Sequence, residues 1–178
     1  MPPVDRNRPV RAKSSESQYS LVEFMREYPD DASCLETLWR MRYAPDGEHA
    51  ECPKCETVRS FKRYATKQQR QSWTCTVCGH HLHPTAGTIY HKSSTSLHLW
   101  FYAFYLMAST RCGISAKQLE RELGVNYRTA ARIARIVRVD LSAKHLQGYL
   151  NEYAWRYNHR DSAEPMFETL LRRSVLPR

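Results

Sequence analysis

Four cysteines carry the clearest chemistry in this sequence. Cys52-Pro-Lys-Cys55 and Cys75-Thr-Val-Cys78-Gly79 are two C-x-x-C pairs separated by 19 residues. Each pair turns tightly enough to aim two thiolates at one metal, and two such tips meeting across a small sheet complete a tetrahedral Cys₄ site suited to zinc. A redox dithiol or chance clustering is the competing reading, but two pairs at this spacing favour one structural Zn²⁺ on Cys52, Cys55, Cys75 and Cys78. Four thiolates leave no open coordination position, so such a metal builds a fold and activates no water. His80, His81 and His83 follow closely and compete as ligands, although the thiolates already complete the set.

A second constellation is basic. Ser115-Ala-Lys-Gln118 has the form of a capping box opening a short helix that ends at Gly124, and Asn126 is a good N-cap for a longer one. A short helix, a turn on glycine and a capped second helix have helix-turn-helix spacing. With Arg128 as origin and about 100° per residue, Arg132 falls at about 40° and Arg135 at about 340°. Ala130, Ile133, Ala134 and Val137 fall on the opposite side, with Arg138 flanking the basic face. A recognition helix needs this division: an apolar back to pack, and arginines that reach phosphates and guanine edges in the major groove. Tyr127, Arg128 and Thr129, nearest its N-terminus, are best placed for base contacts, with Arg132 next. An amphipathic helix with a solvated basic face is the plainer alternative. Between the cysteine pairs, Lys62 and Arg63 lie among Phe61, Tyr64 and Trp73, a composition that suits either phosphate contact or simple solvation of a two-faced sheet.

These residues need elements to hold them. Apolar spacing predicts helices over Tyr19–Tyr28 and Asp31–Tyr43, with a break at Pro29-Asp30 and Asp31 as a cap for the second. Short strands are expected at Arg59–Tyr64, Gln71–Cys75 and His81–Pro84. Helical periodicity returns at Ser96–Ser109, Ser115–Leu123 and Tyr127–Leu141, and the tail reads as two amphipathic helices, His145–Tyr157 and Ala163–Arg173. The fold class is therefore mostly α with a small β zinc ribbon. Its expected divisions are a flexible arm (1–18), a helical pair (19–48), the ribbon (49–92), a tri-helical helix-turn-helix domain (93–141) and a helical tail (142–178).

Charge follows the same divisions. The chain of 178 residues has a formal net charge of +9. Residues 1–51 hold 7 basic and 10 acidic side chains, residues 52–92 hold 7 and 1, and residues 93–138 hold 7 and 2. The whole positive excess sits in the ribbon and the arginine-faced unit, which favours a polyanionic partner at those two elements. A hydrophobic fraction of 42% is a folding composition. The N-terminus shows no secretory h-region, and the longest apolar-rich run, Leu97–Ala108, falls short of the ~20 residues that span a bilayer. A reducing, cytoplasmic and nucleoid-associated setting without a membrane is expected, in which cysteines serve metals rather than disulfides.

The order of these motifs resembles a known family. Two short helices, Cys-Pro-x-Cys, a second Cys-x-x-Cys, Ala86-Gly-Thr-Ile-Tyr90, an aromatic helix, Gly113-Ile-Ser-Ala116 and Leu123-Gly-Val-Asn-Tyr-Arg-Thr-Ala130 resemble the N-terminal half of certain bacterial insertion-sequence transposases. Those proteins combine a zinc ribbon, a helix-turn-helix and a DDE (ribonuclease-H-like) catalytic domain. The resemblance covers Tyr19 to Arg138, and His145–Arg160 resembles the family's extreme C-terminus. Between the two the family places its catalytic domain, and here there are only a few residues. The tail acids Asp140, Glu152, Asp161, Glu164 and Glu168 lie outside the family's catalytic contexts. The resemblance thus implies binding to double-stranded DNA at transposon ends without a catalytic Mg²⁺ site. It describes either a regulator or a decayed fragment, with an active DDE transposase or nuclease as the alternative. The apolar stripes of the tail, including Trp155, Tyr157 and Phe167, would then dock on the helix-turn-helix, pair with another copy or an intact transposase, or remain exposed.

Overall fold

The computed structural model describes residues 19–64, 72–110, 114–141 and 166–176. Their elements are α1 (Leu21–Glu27), α2 (Asp31–Arg42), β1 (His49–Cys52), β2 (Thr57–Tyr64), β3 (Ser72–Cys75), β4 (His81–Leu82), α3 (Leu97–Ser109), α4 (Ala116–Leu123), α5 (Tyr127–Leu141) and α6 (Met166–Ser174). The described residues are mostly helical, with one small antiparallel sheet among them. None of the described helices is long and apolar enough to cross a membrane.

The helix starts follow side-chain capping. Ser20 and Glu23 form a reciprocal capping box on α1. For α2 the cap is Asp30, which accepts from the Ser33 amide at 2.7 Å. Asp31, expected as the cap, is instead the first helical residue and accepts from the backbone N–H of His98 at 2.9 Å. The shift by one residue lets Asp31 satisfy an open amide in the first turn of α3 and so tie α2 to α3.

Leu97, Trp100, Phe101, Ala103, Phe104, Tyr105, Met107 and Ala108 are all buried. A helix apolar on so many sides has to be enclosed, and α2, α4, α5 and α6 all pack on α3. The outcome for the second tail helix is therefore docking. Phe167 of α6 stacks on Tyr19 at 5.3 Å and meets Phe24 and Tyr28 at 5.7 Å, while Leu170 and Leu171 are buried beside it. Tyr90 adds a polar link, its hydroxyl lying 2.6 Å from Ser174 Oγ in the core. The other expected tail helix, with Trp155 and Tyr157, lies outside the described residues, as does the arm.

The sheet is a meander in the order β1-β2-β3-β4. β1 has no counterpart among the expected strands: four residues alternating exposed and buried are too short to register as a period. β2 serves two partners, pairing Thr57–Ser60 with β1 and Phe61–Tyr64 with β3. Its seat on the helices is aromatic. Trp39 of α2 stacks on Trp73 of β3 at 4.8 Å with planes 5° apart, meets Phe61 at 5.6 Å, and donates its indole N–H to the Gly47 carbonyl.

Because α6 closes the core over α1 and α3, Phe167→Ala should lower unfolding free energy by about 3–5 kcal/mol. Leu176→Ala, at a site 61% exposed, should change it by no more than about 0.5 kcal/mol. Urea denaturation followed by tryptophan fluorescence measures both; equal small losses would mean that α6 is not part of the cooperative core.

Candidate metal centre and nucleic-acid interface

The cysteine pairs sit at the end of β1 and the end of β3, where the chain must reverse. In the first knuckle the amides of Cys55 and Glu56 donate to the Cys52 carbonyl at 3.2 and 2.8 Å. In the second, the Gly79 amide donates to the Cys75 carbonyl at 3.0 Å, and the Cys75 amide to the His80 carbonyl at 2.8 Å. The residue after each pair takes the left-handed conformation, Gly79 at φ +71 and Glu56 at φ +54. The knuckles are thus alike in backbone, although only one places glycine where glycine is favoured.

All four sulfurs lie within 4.8 Å of one another, and Cys52 Sγ and Cys78 Sγ are 3.5 Å apart. Tetrahedral Zn–S bonds of about 2.3 Å would set sulfur–sulfur edges of about 3.8 Å, so the cluster has the size for one metal ion. Cys52 and Cys75 are buried, Cys55 and Cys78 half-buried, so the cluster faces partly inward. Amide N–H groups of Cys78 and Val77 donate to the Cys75 sulfur and lower that thiol to about 7. The crowd of neighbouring thiols, Cys78 foremost, pushes Cys55 up to about 12. A cation among the sulfurs would remove that conflict by binding them as thiolates. The cluster contains no histidine. His81 turns to the opposite side, its Nδ1 2.9 Å from Thr74 Oγ1 and its ring edge-on to Tyr64.

Helices α4 and α5 meet through a turn of the expected kind. Ser115 Oγ accepts from the Gln118 amide at 3.1 Å, Gly124 takes the left-handed conformation at φ +62, and Asn126 Oδ1 accepts from the Thr129 amide at 2.8 Å. Ala130, Ile133, Ala134 and Val137 are buried, whereas Arg128, Arg132 and Arg135 are exposed. The two-sided reading of α5 therefore holds in three dimensions.

The arginines are not equivalent, and this could not be read from spacing. Arg132 donates to Thr95 Oγ1 at 3.0 Å and Ser93 Oγ at 3.3 Å, with its guanidinium 6.0 Å from the Trp100 ring. Arg138 is half-buried and donates to the Ile114 carbonyl at 2.6 Å. Arg128 and Arg135 extend to solvent, as does Tyr127, whose ring lies 6.0 Å from Lys117 Nζ. Thr129 is half-buried in the first turn. On the ribbon, Lys62 and Arg63 are both exposed but adjacent on one strand, so their side chains diverge. Arg63 lies over Trp73 at 5.6 Å, while Lys62 pairs with Thr74 on the other face.

Comparison with known proteins finds no matching family model, no matching curated protein and no matching solved structure.

The knuckles differ at one testable position. A Cβ at Gly79 would meet nothing within 4 Å, so Gly79→Ala should cost only the left-handed backbone penalty, about 1 kcal/mol. Glu56→Gly removes that penalty from the first knuckle and should leave stability unchanged or raise it by up to about 1 kcal/mol. Chemical denaturation of the metal-loaded protein reads both; a harmless Gly79→Ala would contradict the backbone account.

Proposed function

We propose that this chain is a sequence-selective DNA-binding protein, related to insertion-sequence transposases, that combines a Cys₄ zinc ribbon with a tri-helical helix-turn-helix and does not cut its target. The observation that carries the reading is the division of α5 into a buried apolar face and an exposed arginine face, entered through a capped left-handed turn. Such a helix can pack its back on α3 and α4 and present its N-terminal half to the major groove. Arg128 is then the foremost candidate for a bidentate contact to guanine, with Tyr127 and Thr129 beside it in the first turn. Arg135 lies on the same face for phosphate or base contact. Arg132 and Arg138, held by protein oxygens in the free molecule, rank behind them. Lys62 and Arg63 add positive charge on the ribbon and suit backbone contacts more than base readout.

One Zn²⁺ is the ion that best fits an all-sulfur cluster of this size. When bound it cross-links the two knuckles and supplies no open site for a substrate. Among the described residues no carboxylate-bearing metal cluster accompanies it. The partner in this reading is double-stranded DNA at transposon ends, and the place is the nucleoid. The buried seat of α6 closes the helical core of the described residues, and a regulator or a decayed fragment of the family is equally compatible with it. Assembly with a second copy or an intact transposase would then involve the remaining tail.

The zinc-loaded protein should retard a transposon-end duplex, with affinity falling as salt rises. Arg128→Ala should weaken specific binding by about 1–3 kcal/mol and relax discrimination at one base pair. Chelation should release one zinc per chain, unfold the ribbon and abolish retardation. Binding that ignores salt, or none by the metal-loaded protein, would overturn the reading. Nicking in Mg²⁺ or Mn²⁺ that disappears with Asp140→Asn or Glu152→Gln would replace it with an active nuclease.

A further inference from the structure

Between the last strand of the ribbon and the start of α3 the chain folds into a series of tight turns. The Ala86 amide donates to the His83 carbonyl, Thr88 Oγ1 to the Thr85 carbonyl, the His91 amide to the Thr88 carbonyl, and the Ser93 amide to the Tyr90 carbonyl. From outside, the Arg42 guanidinium donates to the carbonyls of Pro84 and Ala86, and buried Tyr90 anchors the middle of the segment. These turns wall an open cleft of about 430 Å³ lined by His83, Thr85, His91, Lys92, Ser93 and Ser94.

Two properties of the cleft point to an anion. First, its side chains offer imidazole, ammonium and hydroxyl groups and no carboxylate; the sequence holds no Asp or Glu from Thr57 to Leu119. Second, the side chains of His83, His91 and Lys92 are exposed and make no hydrogen bond or ion pair among the described residues. Lys92 is held at φ +53, a conformation that an L residue adopts only when its surroundings impose it. Unpartnered donors gathered on a fixed wall suit an oxyanion that accepts several hydrogen bonds at once.

The cleft also adjoins the arginine face of α5. Ser93 Oγ, on its rim, accepts from Arg132 Nη2 at 3.3 Å and from the Trp100 indole N–H at 3.1 Å. A duplex lying along α5 would therefore carry backbone phosphates past the cleft. We propose that this cleft is a phosphodiester-binding site that grips the DNA backbone beside the groove read by α5. It rests on the DNA-binding reading and adds a contact that positions the duplex without reading sequence.

The test uses the zinc-loaded full chain and the variants Lys92→Gln, His91→Ala and their combination, all at exposed positions. On specific and unrelated duplexes alike, Lys92→Gln should weaken binding by the same factor and reduce the slope of log affinity against log salt by about 1. Arg128→Ala should instead narrow the gap between the two duplexes. In a second arm, inorganic phosphate is titrated into DNA-free protein while the Trp100 indole N–H resonance is followed. A saturable shift in the wild-type chain that is lost in the double variant supports the site. Intact DNA binding with an unchanged salt slope overturns the site and leaves the functional reading standing. If no duplex binds, the functional reading fails, and the phosphate arm alone decides: a saturable shift retains an anion site, and its absence removes it.

Discussion

A helix that is apolar on almost every side cannot rest on a surface, and α3 imposes that constraint on the whole molecule. Leu97, Trp100, Phe101, Phe104 and Met107 are essentially inaccessible, and enclosing them takes four other helices. The order of these helices in the chain matters less than their apolar faces. α2 arrives from before the ribbon, α4 and α5 directly after α3, and α6 from the end of the described chain. Burial of apolar surface is non-directional, so the polar links decide how the faces are set. Asp31 on the His98 amide, Tyr90 on Ser174 and Arg138 on the Ile114 carbonyl each join elements distant in sequence.

The ribbon obeys a different rule. Four short strands enclose little apolar volume, and a small sheet of this kind needs a covalent or metal cross-link and a partner to lean on. The four sulfurs supply one anchor at the strand ends, and the Trp39–Trp73 stack supplies another on the sheet's inner face. The two anchors hold opposite parts of the same strand, since Cys75 and Trp73 both belong to β3. A metal held by the cysteines would thereby be coupled to helix packing through the three residues Trp73–Cys75.

Positive charge is distributed around this frame by the geometry of its elements. On α5 the helical period gathers arginines on one side. On β2 the strand period separates Lys62 from Arg63. The turns between ribbon and α3 then bring His83, His91 and Lys92 to the neighbourhood of Arg132. Among the described residues Arg132 and Arg138 reach a hydroxyl or backbone carbonyl acceptor, and that distinguishes them from the exposed Arg128 and Arg135.

How much of this was legible depended on the range of the interaction concerned. The cysteine pairs, the capped turn at Gly124 and the two faces of α5 rest on contacts within a few residues, where spacing alone sets geometry, and all were readable from the sequence. The one-residue error at the α2 cap arose because Asp30 and Asp31 are equivalent locally and only the His98 amide distinguishes them. β1 was missed because its alternation is too short to stand out from a loop. The seat of α6, the engagement of Arg132 and the cleft at Lys92 were beyond the sequence, since each joins segments whose separation along the chain says nothing of their distance in space. Hydrogen-bond caps and side-chain periods are local, and they were enough to place the described helices and the cysteines that could hold a metal. Which arginines find an acceptor among the described residues, and which face α6 covers, follow instead from how apolar surfaces close around α3, a matter no local pattern contains.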